Sequence, residues 1–223
     1  MSEWTKLQAD DGFAFPAYVA RPVATPKAAI VVLQEIFGVN SHIRSVADLY
    51  AAEGYLAIAP ALFERAKPGF ESGYLPADVA AGRDIAFALD RAKVMLDIEA
   101  AIRFAAAFGK VGLVGYCWGG TMAYAAACHV TGLSAVSGYY GGGIAAMKDE
   151  TPQVPTILHF GSRDAHIPME SVEALKAAQP DVTVYVYDAD HGFNCDQRGS
   201  YDADSARLAR ERTLAHFKAH LGR

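Results

Sequence analysis

The chain alternates short apolar runs with longer segments whose apolar positions recur every three or four residues. The runs AAIVVL and TILHF are almost continuously apolar, which is typical of strands covered on both faces. Such runs predict strands at 28–33, 56–59, 111–114, 133–137, 156–160 and 182–187. Helical periodicity predicts helices at 41–53, 84–108, 121–129, 169–178 and 204–221. This alternation predicts an α/β fold, with a mostly parallel sheet and helices on both faces.

The segment 63–75 lacks both periodicities and is rich in turn-forming residues, among them Pro68, Gly69 and Gly73. A loop of this length inside a compact fold often shapes a binding site. Because no internal repeat, low-complexity run or linker interrupts the chain, residues 1–223 are expected to form a single domain.

Composition narrows the class of protein and of partner. Of the 223 residues, 52% are hydrophobic and 20% are charged, which argues against intrinsic disorder. A net charge of −5 gives no electrostatic basis for binding nucleic acid. No apolar run approaches the ~20 residues that span a membrane, the N-terminus lacks signal-peptide features, and the three cysteines lack paired spacing. We therefore expect a cytoplasmic protein, monomeric or weakly homo-oligomeric, with a small-molecule substrate and no membrane or nucleic-acid partner.

The strongest local signal for chemistry is the motif Gly115-Tyr116-Cys117-Trp118-Gly119. It follows an apolar strand, precedes a helix of small residues and has the G-x-nucleophile-x-G form of a nucleophile elbow. The turn would present the Cys117 thiol beside a helix N-terminus, where N–H groups favour a thiolate or an oxyanion. The alternative is a glycine-rich turn around a buried structural cysteine.

Two later residues extend this signal. Asp164 follows the strand TILHF, and His191 follows the strand VTVYVYD, so both are expected at the carboxyl ends of strands. Taken singly, Asp164 suits a turn and His191 a polar loop. The order Cys117, Asp164, His191 is nevertheless the nucleophile–acid–base order of α/β-hydrolases, and it predicts a catalytic triad.

The segment QEIFGVN follows the first predicted strand. In an α/β-hydrolase fold this loop supplies one N–H of the oxyanion hole, and the residue after the nucleophile supplies the other. We assign these donors to Ile36 and Trp118. Glu35 is unusual in such a loop, and its place between a buried strand and Ile36-Phe37 argues against an ordinary surface carboxylate.

These residues together resemble the dienelactone hydrolase (carboxymethylenebutenolidase) family. The resemblance is carried by QEIFGVN, GYLAIAP, DIEAAIRF, KVGLVGYCWGG, SGYYGGG, HFGSRDAHIP and DADHGF, in that order, and by ERTLAHF near residue 211. A cysteine nucleophile combined with QEIFG is specific to this family. The resemblance implies an α/β-hydrolase fold, a Cys117–His191–Asp164 triad, and no cofactor or metal.

The resemblance also implies a role for Glu35. In the family this carboxylate pairs with the resting thiol, and substrate displaces it so that the cysteine becomes a thiolate paired with histidine. The thiolate then attacks a lactone or ester carbonyl, and His191 activates the water that hydrolyses the acyl-thioester.

The sequence departs from the family at the substrate. Family members that act on dienelactones bind the substrate carboxylate with two arginines; here Cys195 and Val79 stand at those positions. Arg83 lies one helical turn beyond Val79 and is a candidate substitute. Cys195 is a candidate pocket residue or an ordinary loop cysteine, and Tyr139 either borders the pocket or packs in the core.

Other functions were weighed against this hypothesis. The missing arginines favour a carboxylesterase or thioesterase for neutral acyl groups, whereas a redox-responsive or ligand-binding protein would need Cys117 but not a general base. The glycine-rich GLVGYCWGG does not match the dinucleotide fingerprint. His216 and His220 are spaced for a metal but lack an accompanying acid, so we expect neither metal nor cofactor.

Overall fold

The computed structural model describes residues 2–222. Within that range the strands are β1 Ser2–Gln8, β2 Ala14–Ala20, β3 Ala29–Leu33, β4 Leu56–Pro60, β5 Val111–Tyr116, β6 Leu133–Tyr139, β7 Thr156–Gly161 and β8 Thr183–Tyr187. The helices are α1 Ser41–Ala52, α2 Pro76–Ala88, α3 Arg91–Ala106, α4 Trp118–His129, α5 Met169–Ala178 and α6 Ala203–Leu221, with a short 3-10 turn at Ile144–Met147.

The strands form one sheet in the order β1-β2-β4-β3-β5-β6-β7-β8. The pairs β1–β2 and β2–β4 are antiparallel, and every later neighbouring pair is parallel. This is the α/β-hydrolase fold, so the prediction of a mostly parallel sheet is confirmed.

Both faces of the sheet are covered, as the continuous apolar runs predict. Along β3, Ile30 and Val32 pack with α1 and α6, whereas Val31 and Leu33 pack on the opposite face with α3. All five residues of β3 are buried. The carboxyl ends of β3, β5, β7 and β8 therefore meet at one edge, where the predicted chemical residues lie.

Two predictions for elements were wrong or incomplete. The helix predicted at 84–108 is two helices, because Leu89 is extended and the Asp90 side chain caps α3 by accepting from the Ala92 N–H. The hairpin β1–β2 was missed because β1 is mostly exposed and Pro16 interrupts β2. The irregular segment 63–75 was predicted correctly, and α2 begins directly after it. Across the described residues, no helix has the length and apolar character needed to cross a membrane.

Candidate active site

The turn between β5 and α4 positions Cys117. Its backbone has φ 55° and ψ −118°, a strained conformation for a non-glycine residue, and its N–H donates to the Tyr139 carbonyl at 3.0 Å. A Cβ on Gly115 would lie 1.9 Å from the Gly119 carbonyl oxygen, and one on Gly119 would lie 2.3 Å from the Gln34 oxygen. Only glycine permits this close approach, which seats the elbow against the end of β3.

Cys117, His191 and Asp164 are linked by hydrogen bonds. The Cys117 Sγ lies 3.2 Å from His191 Nε2, and His191 Nδ1 lies 2.7 Å from Asp164 Oδ2. The second oxygen of Asp164 accepts the His166 N–H at 2.8 Å, which orients the carboxylate. The Asp164 side chain is fully buried and that of His191 is 12% exposed, so the predicted residues meet in a shielded position.

The electrostatics of this group favour a charged imidazole. Burial alone would lower the pKa of His191, but the hydrogen bonds to Asp164 and Cys117 raise that pKa to about 10. Burial would likewise raise the pKa of Asp164, but the hydrogen bond from His191 holds it below its ordinary value. A carboxylate that keeps Nδ1 protonated leaves Nε2 to exchange a proton with the thiol.

Glu35 lies beside the triad but pairs with a different residue. Its side chain is 1% exposed, and Oε1 accepts from Arg198 Nη1 at 3.2 Å. Among the described residues, no hydrogen bond joins Glu35 to Cys117, whose thiol pairs with His191 instead. Of the two pairings that the family resemblance implies, the Cys117–His191 pairing is the one present here, and the role of Glu35 stays a prediction.

Two further residues, His42 and Cys195, lie close to Glu35. His42, near the start of α1, is buried, and its Nδ1 lies 3.1 Å from Asp196 Oδ1. Cys195 is fully buried. Burial, with the charge of Glu35 added, raises the pKa of Cys195 to about 11. Glu35, His42 and Cys195 are the described residues whose side chains could together hold a metal ion.

The two residues predicted to donate to the oxyanion are Trp118, which follows Cys117 directly, and Ile36 in the loop after β3. Trp118 is the first residue of α4, so its N–H has no acceptor within the helix. Ile36 follows Glu35, and its carbonyl packs against Gly82 of α2, where a Cβ would lie 1.9 Å from the oxygen. This contact fixes the Ile36 peptide, but the oxyanion role of both N–H groups stays a prediction.

The three residues predicted to contact the substrate, Arg83, Tyr139 and Cys195, differ in how exposed they are and in what they contact. The Arg83 side chain is 60% exposed and its ion-pair partner is the neighbouring Asp84. Tyr139 lies in the core, with its hydroxyl 2.7 Å from Thr213 Oγ1, because the regular strand β6 carries it inward. Cys195 reaches the site but is fully buried.

Two other residues, Tyr140 and Arg198, contact His191 and Glu35. Tyr140, with φ 36°, lies against the His191 ring at 5.2 Å, so the residue after Tyr139 is the one that borders the triad. Arg198 reaches Glu35 from the loop after β8 and lines an open cleft of about 550 Å³. The other lining residues are Tyr74, Leu75, Gln197, Gly199 and Ser200.

Comparison with known proteins agrees with this geometry. The model of the dienelactone hydrolase family matches residues 15–221. A provisionally named carboxymethylenebutenolidase of Synechocystis sp. is 39% identical, covering 92% of this chain and 91% of the relative. The carboxymethylenebutenolidase of Pseudomonas putida is 36% identical, covering 96% and 95%.

A solved structure gives the same result. The crystal structure of a provisionally named dienelactone hydrolase from Klebsiella pneumoniae superposes with a TM-score of 0.84 at 31% identity, covering 99% of this chain and all of that one. Family match, relatives and fold agree along nearly the whole chain. The protein therefore belongs to the dienelactone hydrolase family and is a hydrolase of the carboxymethylenebutenolidase type.

Proposed function

We propose that the protein hydrolyses small lactones or esters with Cys117 as its nucleophile, through an acyl-thioester. The observation that carries the proposal is the pair of hydrogen bonds that joins Cys117 to His191 and His191 to Asp164 at the elbow. A nucleophile, a base and an orienting acid within hydrogen-bonding distance of one another are what nucleophilic acyl transfer requires.

The reaction proceeds in two halves. His191 holds the proton of Cys117, the thiolate attacks the carbonyl carbon, and the carbonyl oxygen takes the negative charge beside the Ile36 and Trp118 N–H groups. Collapse breaks the carbon–oxygen bond, and the departing oxygen takes the proton from His191. His191 then removes a proton from water, hydroxide attacks the thioester, and the thiolate leaves.

The position of Arg198 supports a substrate that carries a carboxylate. The family arginine expected at position 195 is a cysteine here, but the Arg198 guanidinium, 19% exposed, lies at Glu35 beside the triad. Arginine is the natural partner of a carboxylate because it donates two parallel hydrogen bonds. A neutral acyl substrate is the second candidate, and the exposure of Arg83 favours it.

The test is steady-state hydrolysis of a dienelactone and of p-nitrophenyl acetate by the wild type, Cys117→Ser and His191→Ala. Both variants should lose at least about 10³-fold in kcat/KM, and intact mass spectrometry should find an acyl adduct only where Cys117 is present. Cys128→Ser is the matched control, because that thiol lies in α4 and bonds the Glu150 carbonyl. Unchanged turnover in Cys117→Ser, or a wild type that alkylates but turns over neither substrate, would overturn the proposal.

A further inference from the structure

The buried cluster of Glu35, His42 and Cys195 is not used by the proposed reaction as a unit. The three side chains are 1%, 3% and 0% exposed and come from three segments: the loop after β3, the first turn of α1 and the loop after β8. One nitrogen of His42, the thiol of Cys195 and one oxygen of Glu35 lie within 4.8 Å of one another.

Two atoms of this cluster have no protein partner. Asp196 occupies Nδ1 of His42, and Arg198 occupies Oε1 of Glu35. Among residues 2–222, the remaining His42 Nε2 and Glu35 Oε2 are buried and find no hydrogen-bond partner. Because burying such atoms unpaired is costly, the presence of two of them in one cluster of potential ligand residues indicates a group that both can bind.

We propose that Glu35, His42 and Cys195 form a binding site for Zn²⁺. Imidazole nitrogen, thiolate sulfur and carboxylate oxygen are the three ligand types that zinc takes in proteins, and water would complete the tetrahedron. Ligand atoms around zinc lie about 3.5 Å apart, so small side-chain rotations close the observed spacing. Cys195 gives up its proton to solvent on binding.

The surroundings of the site have the form of an outer ligand shell. The Asp196 carboxylate holds Nδ1 of His42 and leaves Nε2 as the nitrogen available to an ion, which is the carboxylate–histidine–metal arrangement. Arg198 orients Glu35 in the same way and balances its charge. His42 and Asp196 also line a pocket of about 250 Å³ between α1 and α6, so this pocket lies next to the cluster.

Occupation of the site would bear on catalysis through Glu35. The carboxylate that the family resemblance pairs with the resting thiol would be bound to the ion, so zinc would compete with that pairing. This consequence rests on the proposed function, whereas the binding itself does not, because Cys117 is not a ligand.

The experiment uses Co²⁺ and Zn²⁺ on the metal-free full chain. Wild type should take up one equivalent of Co²⁺ with a near-ultraviolet thiolate-to-cobalt band, and Zn²⁺ should displace it with one bound ion per chain by elemental analysis. Cys195→Ser should lose the band, and His42→Gln should weaken Zn²⁺ binding more than the ~10-fold expected for Asp196→Asn.

The matched control is Cys117→Ser, which should bind both ions as the wild type does, whether or not it is active. Circular dichroism and thermal unfolding establish that each variant folds. No uptake by the wild type, an unchanged band in Cys195→Ser, or loss of the band in Cys117→Ser would each overturn the site.

Discussion

His191 shows how neighbouring groups outweigh burial at the level of one residue. Burial removes the ring from water and disfavours its charge, yet the Asp164 carboxylate at 2.7 Å and the Cys117 sulfur at 3.2 Å favour that charge more strongly. The same imidazole next to a neutral partner would titrate lower. The proton therefore belongs to the Cys117–His191 pair rather than to either residue alone.

We expect His191 to stay protonated through neutral pH and to lose its proton only near pH 10, the value to which its pKa is raised. The ring-proton chemical shifts of His191, followed by NMR between pH 5 and 11, measure this. Asp164→Asn should lower the midpoint by at least one pH unit. The amide carries no negative charge, so it stabilises the protonated imidazole less than the Asp164 carboxylate does. A wild-type midpoint near 6.5 would contradict the prediction.

Arg198 provides a prediction about substrate class. Arg198→Met should raise KM for a dienelactone by roughly 10-fold relative to its effect on neutral p-nitrophenyl acetate, since one charge-assisted contact contributes about 1.5 kcal/mol. The measurement is the ratio of the two KM changes, because breaking the Arg198–Glu35 ion pair would affect both substrates and cancels in that ratio. Arg83→Ala is the control and should leave the ratio unchanged; an equal change for both substrates in Arg198→Met would indicate that this residue only positions Glu35.

At the scale of elements, the sequence predicted the strands and the turn at Cys117, which depend on local preferences of the chain. Continuous apolar runs located β3 to β8, and the motif around Cys117 located the elbow, because only glycine fits at Gly115 and Gly119. The helix break at Asp90 was missed, since the polar residue that caps α3 lies inside an unbroken helical period. The sequence does not decide between pocket and core for Tyr139, because two adjacent tyrosines at a strand end differ only in which face each side chain takes.

The cluster at Glu35 lay beyond prediction for another reason. His42 and Arg198 are far apart in the chain. His42 lies in the predicted helix 41–53, where nothing distinguishes it from other polar positions, and Arg198 lies outside the quoted motifs. Both lie near Glu35 because the segments after β3 and β8 leave the sheet at the same end. Contacts of this kind depend on loop paths, which hydrophobic patterning does not specify.

His159 joins three elements through one buried ring. Its side chain in β7 is fully buried; Nδ1 lies 2.8 Å from the Tyr187 hydroxyl of β8, and Nε2 lies 3.1 Å from Thr213 Oγ1 of α6. Burial, with Arg212 and His216 nearby, lowers its pKa from 6.5 to about 3. The folded state therefore keeps the ring neutral where the unfolded chain would protonate it.

This lowered pKa predicts acid sensitivity. The neutral His159 ring contributes fully to the free energy of unfolding above pH 6.5, and this contribution is lost as pH falls toward 3. The loss has a slope of up to about 1.4 kcal/mol per pH unit. Urea unfolding from pH 7 to pH 4 should show a shallower decline in His159→Gln than in wild type. His129→Gln, at a side chain that is 54% exposed, should follow the wild-type slope, and parallel curves for all three would contradict the prediction.

At the scale of the whole molecule, Arg65 connects the turn between β1 and β2 to α3, a helix that packs on one face of the sheet. Arg65, in the irregular segment after β4, hydrogen-bonds both oxygens of Asp97 in α3, at 2.7 and 2.8 Å. It also contacts both oxygens of Asp11, in the turn between β1 and β2. The Arg65 side chain is 13% exposed and that of Asp97 is 1% exposed, so these are buried charges rather than surface pairs.

Removing only the arginine should therefore lower the free energy of unfolding more than removing an exposed ion pair would. Arg65→Met leaves the Asp97 carboxylate buried without its cation, and we expect the free energy of unfolding to fall by about 3–5 kcal/mol in urea. Arg103→Met removes an exposed pair with Asp10 and should change it by less than ~1 kcal/mol. In the double variant Arg65→Met/Asp97→Leu much of the loss should be recovered, because no charge stays buried unpaired. If the double variant is no more stable than Arg65→Met, the arginine acts by packing the three segments together and not by neutralising Asp97.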